Sequence, residues 1–223
     1  MQLGTIKLKG KIERAAVRMK DFMIPISSIN EVFDQSWELD VLSILTEGQW
    51  DQINEGIRNM DEEELINECK NVIDLESVQF GPLYRHPRKI WGIGLNYVDH
   101  ASDLSEKAPT TEPASFMKAD TTIIGPGDSI KIPKQSNKTT GEAELGVIFK
   151  KKCQNVPKES WLDVIAGFTT IIDMTAEDIL RKNPRYLTLS KNFDTFFSFG
   201  PLLLTPDEIG NLTDLKVATV ING

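Results

Sequence analysis

In the stretch TTGEAELGVIF, residues 139–149, Glu142 and Glu144 stand one residue apart at the head of an apolar run. Side chains at i and i+2 of a strand share a face, roughly 7 Å apart along the chain. Leu145, Val147 and Phe149 alternate with Gly146 and Ile148, which predicts a strand buried on both faces. Asp173 follows the apolar run FTTII directly. Buried carboxylates without partners cost several kcal/mol or stay protonated. A divalent cation removes that problem, and three carboxylates on one face make a hard oxygen site suited to Mg²⁺ or Mn²⁺. The competing reading is a solvated edge beside lysines such as Lys138. Spacing alone leaves both open.

Two further features could do chemistry. His100 lies in NYVDHASD with Asp103 three residues on, and Lys191 lies in LSKNFDTF. A histidine in a polar loop is ordinarily exposed, as His86 between Arg85 and Pro87 is expected to be, and most lysines are surface residues. The segment GIGLN (92–96) lacks the third glycine and the following helix of a dinucleotide fingerprint.

Composition narrows the function classes. The 223 residues carry a formal net charge of −8, with no basic cluster, which argues against a nucleic-acid partner. Cys69 and Cys153 form no CxxC, so neither a zinc site nor a disulfide framework is expected. No apolar run reaches membrane-spanning length and the start MQLGTIKLKGKIERAA has no signal-peptide core, so a cytoplasmic protein is expected. Asn137–Thr139 and Asn211–Thr213 fit the glycosylation pattern, which has no consequence without secretion.

These residues need elements to position them. TIKLKGKIERAAVRM predicts two strands around Gly10, and FMIPIS predicts a third. Trp50, Ile53, Ile57 and Met60 recur at helical spacing, and DEEELINECKNVI places acids in a first helical turn. FGPLYRHPRK reads as a linker, with a boundary near residue 80. Beyond it, KIWGIGL, TTIIGPGDSIKIP (a hairpin around Pro-Gly), the end of WLDVIAGFTTIIDM, GPLLLT and LKVATVI predict short strands. The last of these stops on Asn222-Gly223, a hairpin turn with no returning strand.

Taken in order, KIWGIGLNYVDHA, EPASFMKADTTIIGPGDSIKIP, GEAELGVIFKKK, AGFTTIIDMTAEDI and LSKNFDTFFSFGPLLLTPDEI closely resemble the fumarylacetoacetate hydrolase family, from about residue 89 onward. The first third resembles the small variable domain that many bacterial members carry. The resemblance implies a mostly β fold with some α (α+β): a mixed β-sandwich roll over 81–223, preceded by a small N-terminal α/β domain over 1–80. It implies that Glu142, Glu144 and Asp173 hold Mg²⁺ or Mn²⁺ and that Lys191 offsets the remaining negative charge and helps hold an anionic substrate. His100 falls on a lid, from about Asp99 to Thr111, that orders over substrate. Members that cleave C–C bonds usually carry a glutamate where this chain has Asp103, one methylene shorter, so the His100–Asp103 dyad is expected to be loose.

Substrates of the family are small 2-oxo or 1,3-dioxo acids. Breaking the adjacent C–C bond, losing CO₂ or shifting a proton all pass through an enolate, which a bound cation stabilises. The expected activity is therefore a Mg²⁺- or Mn²⁺-dependent C–C bond hydrolase or decarboxylase. The alternatives are a 2-hydroxyhepta-2,4-diene-1,7-dioate isomerase-like tautomerase and a non-catalytic, metal-binding fold relative or fragment. Family habit implies a homodimer, while the acidic charge and the lack of a long apolar run lead us to expect neither nucleic acid nor membrane as a partner. Members also continue past the Asn-Gly turn. The chain is thus expected to be incomplete at its C-terminus, with LKVATVI an open-edged strand of the central roll.

Overall fold

A computed structural model describes residues 1–94 and 112–223. Strand β1 (Gln2–Lys7) and β2 (Glu13–Met19) pair antiparallel from Leu3↔Val17 to Lys7↔Glu13, joined by a tight turn in which Gly10 takes φ +81°. β3 (Phe22–Pro25) continues the meander onto β2 and feeds α1 (Ile26–Phe33). Helices α2 (Val41–Thr46), α3 (Trp50–Arg58) and α4 (Glu62–Glu68) follow. Trp50, Ile53 and Ile57 of α3 are buried, as their spacing requires. Asp61 caps α4 by accepting from the amides of Glu63 and Glu64 at 2.9 and 3.1 Å. The two-residue β4 (Ile73–Asp74) closes this part of the sheet against β3.

After residue 80 the chain makes β5 (Ile90–Gly94) and β6 (Ala114–Lys118), a two-stranded ribbon. Next come β7 (Ile123–Ile124) and two long strands, β8 (Thr139–Phe149) and β9 (Ile165–Ala176). Helices α5 (Glu177–Lys182) and α6 (Leu187–Lys191) lead to β10 (Phe197–Phe199), β11 (Leu202–Leu204) and a last turn of helix, α7 (Pro206–Ile209). β8 lies along one edge of β9, while β11 and β10 occupy the other edge in turn. β11 also pairs with β1, so strands from both parts of the chain form one nine-stranded sheet. A shared core runs across it: Leu3, Val17, Ile29, Ile44 and Ile53 belong to the same buried cluster as Ile148, Phe197, Phe199 and Leu203. The protein is a mixed α/β fold built on this large sheet.

Three expectations need correction. β8 is not buried on both faces: Gly146 and Ile148 are, but Val147 and Phe149 are 42% and 55% exposed on the other. The Pro-Gly turn forms, with the Asp128 amide donating to the Gly125 carbonyl at 3.1 Å, yet no strand returns. The Lys131 amide is taken by Thr195 Oγ1 at 2.7 Å, and β7 instead pairs in parallel with β10. LKVATVI forms no strand either. The Thr219 hydroxyl accepts from the Ala143 amide at 3.0 Å and donates to the Gly141 carbonyl at 3.1 Å, taking by one side chain the groups a strand would pair. No helix among the described residues is long and apolar enough to cross a membrane.

Candidate active site

The long β8–β9 ladder sets the site. Its register places Glu142 directly opposite Asp173 and Glu144 opposite Ile171. Directly opposed residues of an antiparallel pair share a face, so all three carboxylates belong to one face of two adjacent strands. Lys191, the last residue of α6, reaches that face and is only 5% exposed. Its ammonium bridges Asp173 Oδ2 at 2.6 Å and Glu142 Oε2 at 3.0 Å, and donates to Thr175 Oγ1 at 2.7 Å. Thr175 in turn donates to Glu142 Oε1 at 2.9 Å.

A second lysine completes the cluster, and the sequence reading missed it. Lys118, at the end of β6 and 4% exposed, donates to Asp173 Oδ1 at 2.7 Å and to the Lys191 carbonyl. The signal was present in ASFMK. Ala114, Phe116 and Lys118 alternate with Ser115 and Met117, so a lysine on an apolar, inward-facing row had to meet a carboxylate there.

The cation expected between the carboxylates is thus partly supplied by lysine. Among the described residues no three His, Cys, Asp or Glu side chains are gathered closely enough to hold a metal ion. The donor set nonetheless fits Mg²⁺ or Mn²⁺ in kind, being oxygen-only and one-faced. Glu142 and Asp173 would have to share their oxygens between such an ion and the two ammonium groups. His100 and Asp103, and the lid expected around them, lie outside the described residues. His86 is exposed as expected, its Nδ1 3.0 Å from Asp120 Oδ2.

The two lysines differ electrostatically. Burial is the main cause that brings the Lys118 pKa down to about 8, against the opposing pull of Asp173. Burial acts on Lys191 too, but the charges of Asp173 and Glu142 outweigh it and hold its pKa above the ordinary lysine value. In the unfolded chain Lys118 keeps its proton to roughly pH 10.4. Between about pH 8 and that value the unfolded state binds more protons than the folded one, so this group makes stability rise with pH. Urea denaturation across that range should show the wild type gaining stability relative to Lys118→Met. A constant difference would contradict it.

An aromatic ring supports Lys191 from below. Its ammonium sits 4.5 Å from the centroid of the Phe116 ring. Phe116 faces Gly92 across the ribbon, and a Cβ on Gly92 would come within 2.2 Å of the ring. Only glycine lets the ring lie there. Gly92→Ala should push Phe116 aside and remove a cation–π contact worth about 0.5–2 kcal/mol. A several-fold fall in kcat/KM, reproduced by Phe116→Leu, is the expected result; unchanged kinetics in both variants would show the ring is not needed.

Residues 89–223 match the family model described as Fumarylacetoacetate (FAA) hydrolase C-terminal. The chain is 39% identical over 139 residues to the mitochondrial oxaloacetate tautomerase fahd2 of Xenopus laevis, a match covering 62% of this chain and 43% of that protein. It is 36% identical over 157 residues to the 2,4-didehydro-3-deoxy-L-rhamnonate hydrolase of Sphingomonas sp. strain SKA58, covering 69% and 55% respectively. Its fold matches the maleylpyruvate hydrolase of Sphingobium sp. SYK-6, solved with manganese(II) and pyruvate, at a TM-score of 0.67 and 23% identity, covering 95% of this chain and 69% of that one. The chain therefore spans about half the length of these two curated relatives.

Proposed function

The chain belongs to the fumarylacetoacetate hydrolase family, and from that premise we propose that it is a divalent-cation-dependent enzyme that cleaves or decarboxylates small 2-oxo or 1,3-dioxo acids through an enolate. One observation carries the reading: two buried ammonium groups converge on Asp173 beside Glu142, on the face that also bears Glu144. Buried, closely coupled ionisable groups of this kind cluster at functional sites. Glu142, Glu144 and Asp173 would hold Mg²⁺ or Mn²⁺, which supplies Lewis-acid stabilisation of a developing oxyanion.

The chain's own residues have the remaining roles. Lys191 and Lys118 draw an anionic substrate onto the face and neutralise charge as the enolate develops. Phe116 covers one side of the Lys191 ammonium, in a position that Gly92 leaves open. Hydrolysis also needs a base to activate water, the role given to His100 with Asp103. A tautomerase is the second reading, favoured because a proton shift needs no activated water and because the Xenopus relative is an oxaloacetate tautomerase. The enzyme is taken to act as a homodimer, which sedimentation would check.

Acylpyruvates, oxaloacetate and fumarylacetoacetate should be assayed with Mg²⁺ or Mn²⁺, following C–C cleavage products, CO₂ and loss of enol absorbance separately. Absence of cation-dependent turnover on all of them would refute the proposal. Saturating cation should also raise the melting temperature, by linkage worth about 2.7 kcal/mol at a hundredfold excess over Kd, and should fail to do so in Glu142→Ala.

A further inference from the structure

We infer that Asn192 is a positioning residue that holds Lys118 in place, an assignment that rests on the active site proposed above. Asn192 follows Lys191 directly and is half-buried. Its Oδ1 accepts from the Ala119 amide at 2.6 Å, while its Nδ2 donates to the Met117 carbonyl at 3.1 Å and the Thr188 carbonyl at 2.8 Å. The first two partners are the main-chain groups on either side of Lys118. A carboxamide offers a donor and an acceptor side by side, as a peptide group does, so Asn192 grips β6 as a neighbouring strand would. Turning the carboxamide over would set its oxygen against two carbonyls and its nitrogen against an amide. The orientation is fixed by its partners.

The grip is closed from the other side. Lys118 donates to the carbonyl of Lys191, the residue before Asn192. Side chain of Lys118 to main chain of Lys191, and side chain of Asn192 to main chain around Lys118, form one loop of hydrogen bonds between β6 and the end of α6. That loop sets the spacing of the two ammonium groups, one on each oxygen of Asp173. Without it, β6 would be tied to α6 mainly through the charged groups whose geometry the chemistry depends on. Thr188 anchors the carboxamide to the last turn of α6, so the grip moves with Lys191 rather than with the ribbon.

A double-mutant cycle with Lys118→Met tests the assignment. Asn192→Ala alone should lower kcat/KM by about tenfold, the usual scale for losing a group that orients a site residue. On the Lys118→Met background the same change should cost no more than about twofold, since nothing is left to position. Asn192→Asp keeps the acceptor for Ala119 but sets its second oxygen against the Met117 and Thr188 carbonyls, so it should cost at least as much as alanine; Asn192→Ser serves if the alanine variant does not fold. Equal losses on both backgrounds would mean that Asn192 is merely structural, and would overturn the assignment. Wild type without turnover on any oxo-acid would count against the proposed function and not against the grip. The cycle is then read in melting temperature, where coupling between Asn192 and Lys118 supports the inference and additivity overturns it.

Discussion

Asp173→Asn is expected to destabilise the protein by about 3–5 kcal/mol, the usual cost of breaking a buried charge pair from one side. Asp173 is 4% exposed and its two oxygens accept from Lys118 and Lys191 at 2.7 and 2.6 Å. An amide of the same shape takes the shared carboxylate from two buried ammonium groups, leaving Lys191 its bond to Glu142 and Lys118 without its ion pair to residue 173. Lys118 would respond by shedding its proton, which softens the loss without abolishing it. Turnover and cation binding should both vanish, since the carboxylate nearest both lysines is gone. Urea denaturation of the two proteins at neutral pH measures the first effect and calorimetric titration with Mn²⁺ the second. A variant within about 1 kcal/mol of wild type would place Asp173 among ordinary surface positions, against its burial.

Lys191→Met should act differently, striking activity harder than stability. Asp173 keeps Lys118 as a partner, and Glu142 keeps the Thr175 hydroxyl at 2.9 Å. The substrate, however, loses the ammonium placed to offset the developing charge. Losing one such donor costs about 10²–10³ in kcat, and that is the expected fall. The variant should also gain more melting temperature from Mg²⁺ than wild type does, because an added cation no longer competes with the ammonium between Glu142 and Asp173. Equal gains in both proteins would show that the lysine and the cation do not share that space.

Much of this site could be read from residue order. Glu142 and Glu144 had to share a face if they lay in a strand, and the apolar run after them fixed the strand. Asp173 and Lys191 could be placed beside them only through the family resemblance, because nothing local says that residue 142 faces residue 173. Lys118 is the opposite case: its local signal is clear, but a lone lysine is so often exposed that alternation over five residues does not outweigh that preference. The outer face of β8 and the segment LKVATVI share a different cause. Alternation tells which residues of a strand lie together, and it does not tell whether a neighbour covers them or an edge is free to pair. In SIKIP the deciding fact was a hydroxyl, Thr195, more than sixty residues away in sequence.

The pairing of β1 with β11 has a consequence for how the molecule comes into being. Gln2 to Gly4 are matched with Leu204 to Leu202, and the Thr205 amide donates to the Met1 carbonyl at 3.0 Å. As the chain leaves the ribosome, β1, β2 and β3 can assemble early, and residues 79–81 can cover Thr5 to Lys7 on the other side of β1, but Gln2 to Gly4 have no partner on that side until residues 202–204 have been made. Closing a loop of about two hundred residues costs only some 2 kcal/mol more than closing one of twenty-five, so the finished pairing is hardly penalised. Time is another matter, since contacts between distant parts of a chain form slowly. Until β11 is made, the nascent chain carries a short unpaired stretch of strand edge at Gln2 to Gly4, the kind of surface that chaperones cover and that stalled chains use to stick to one another.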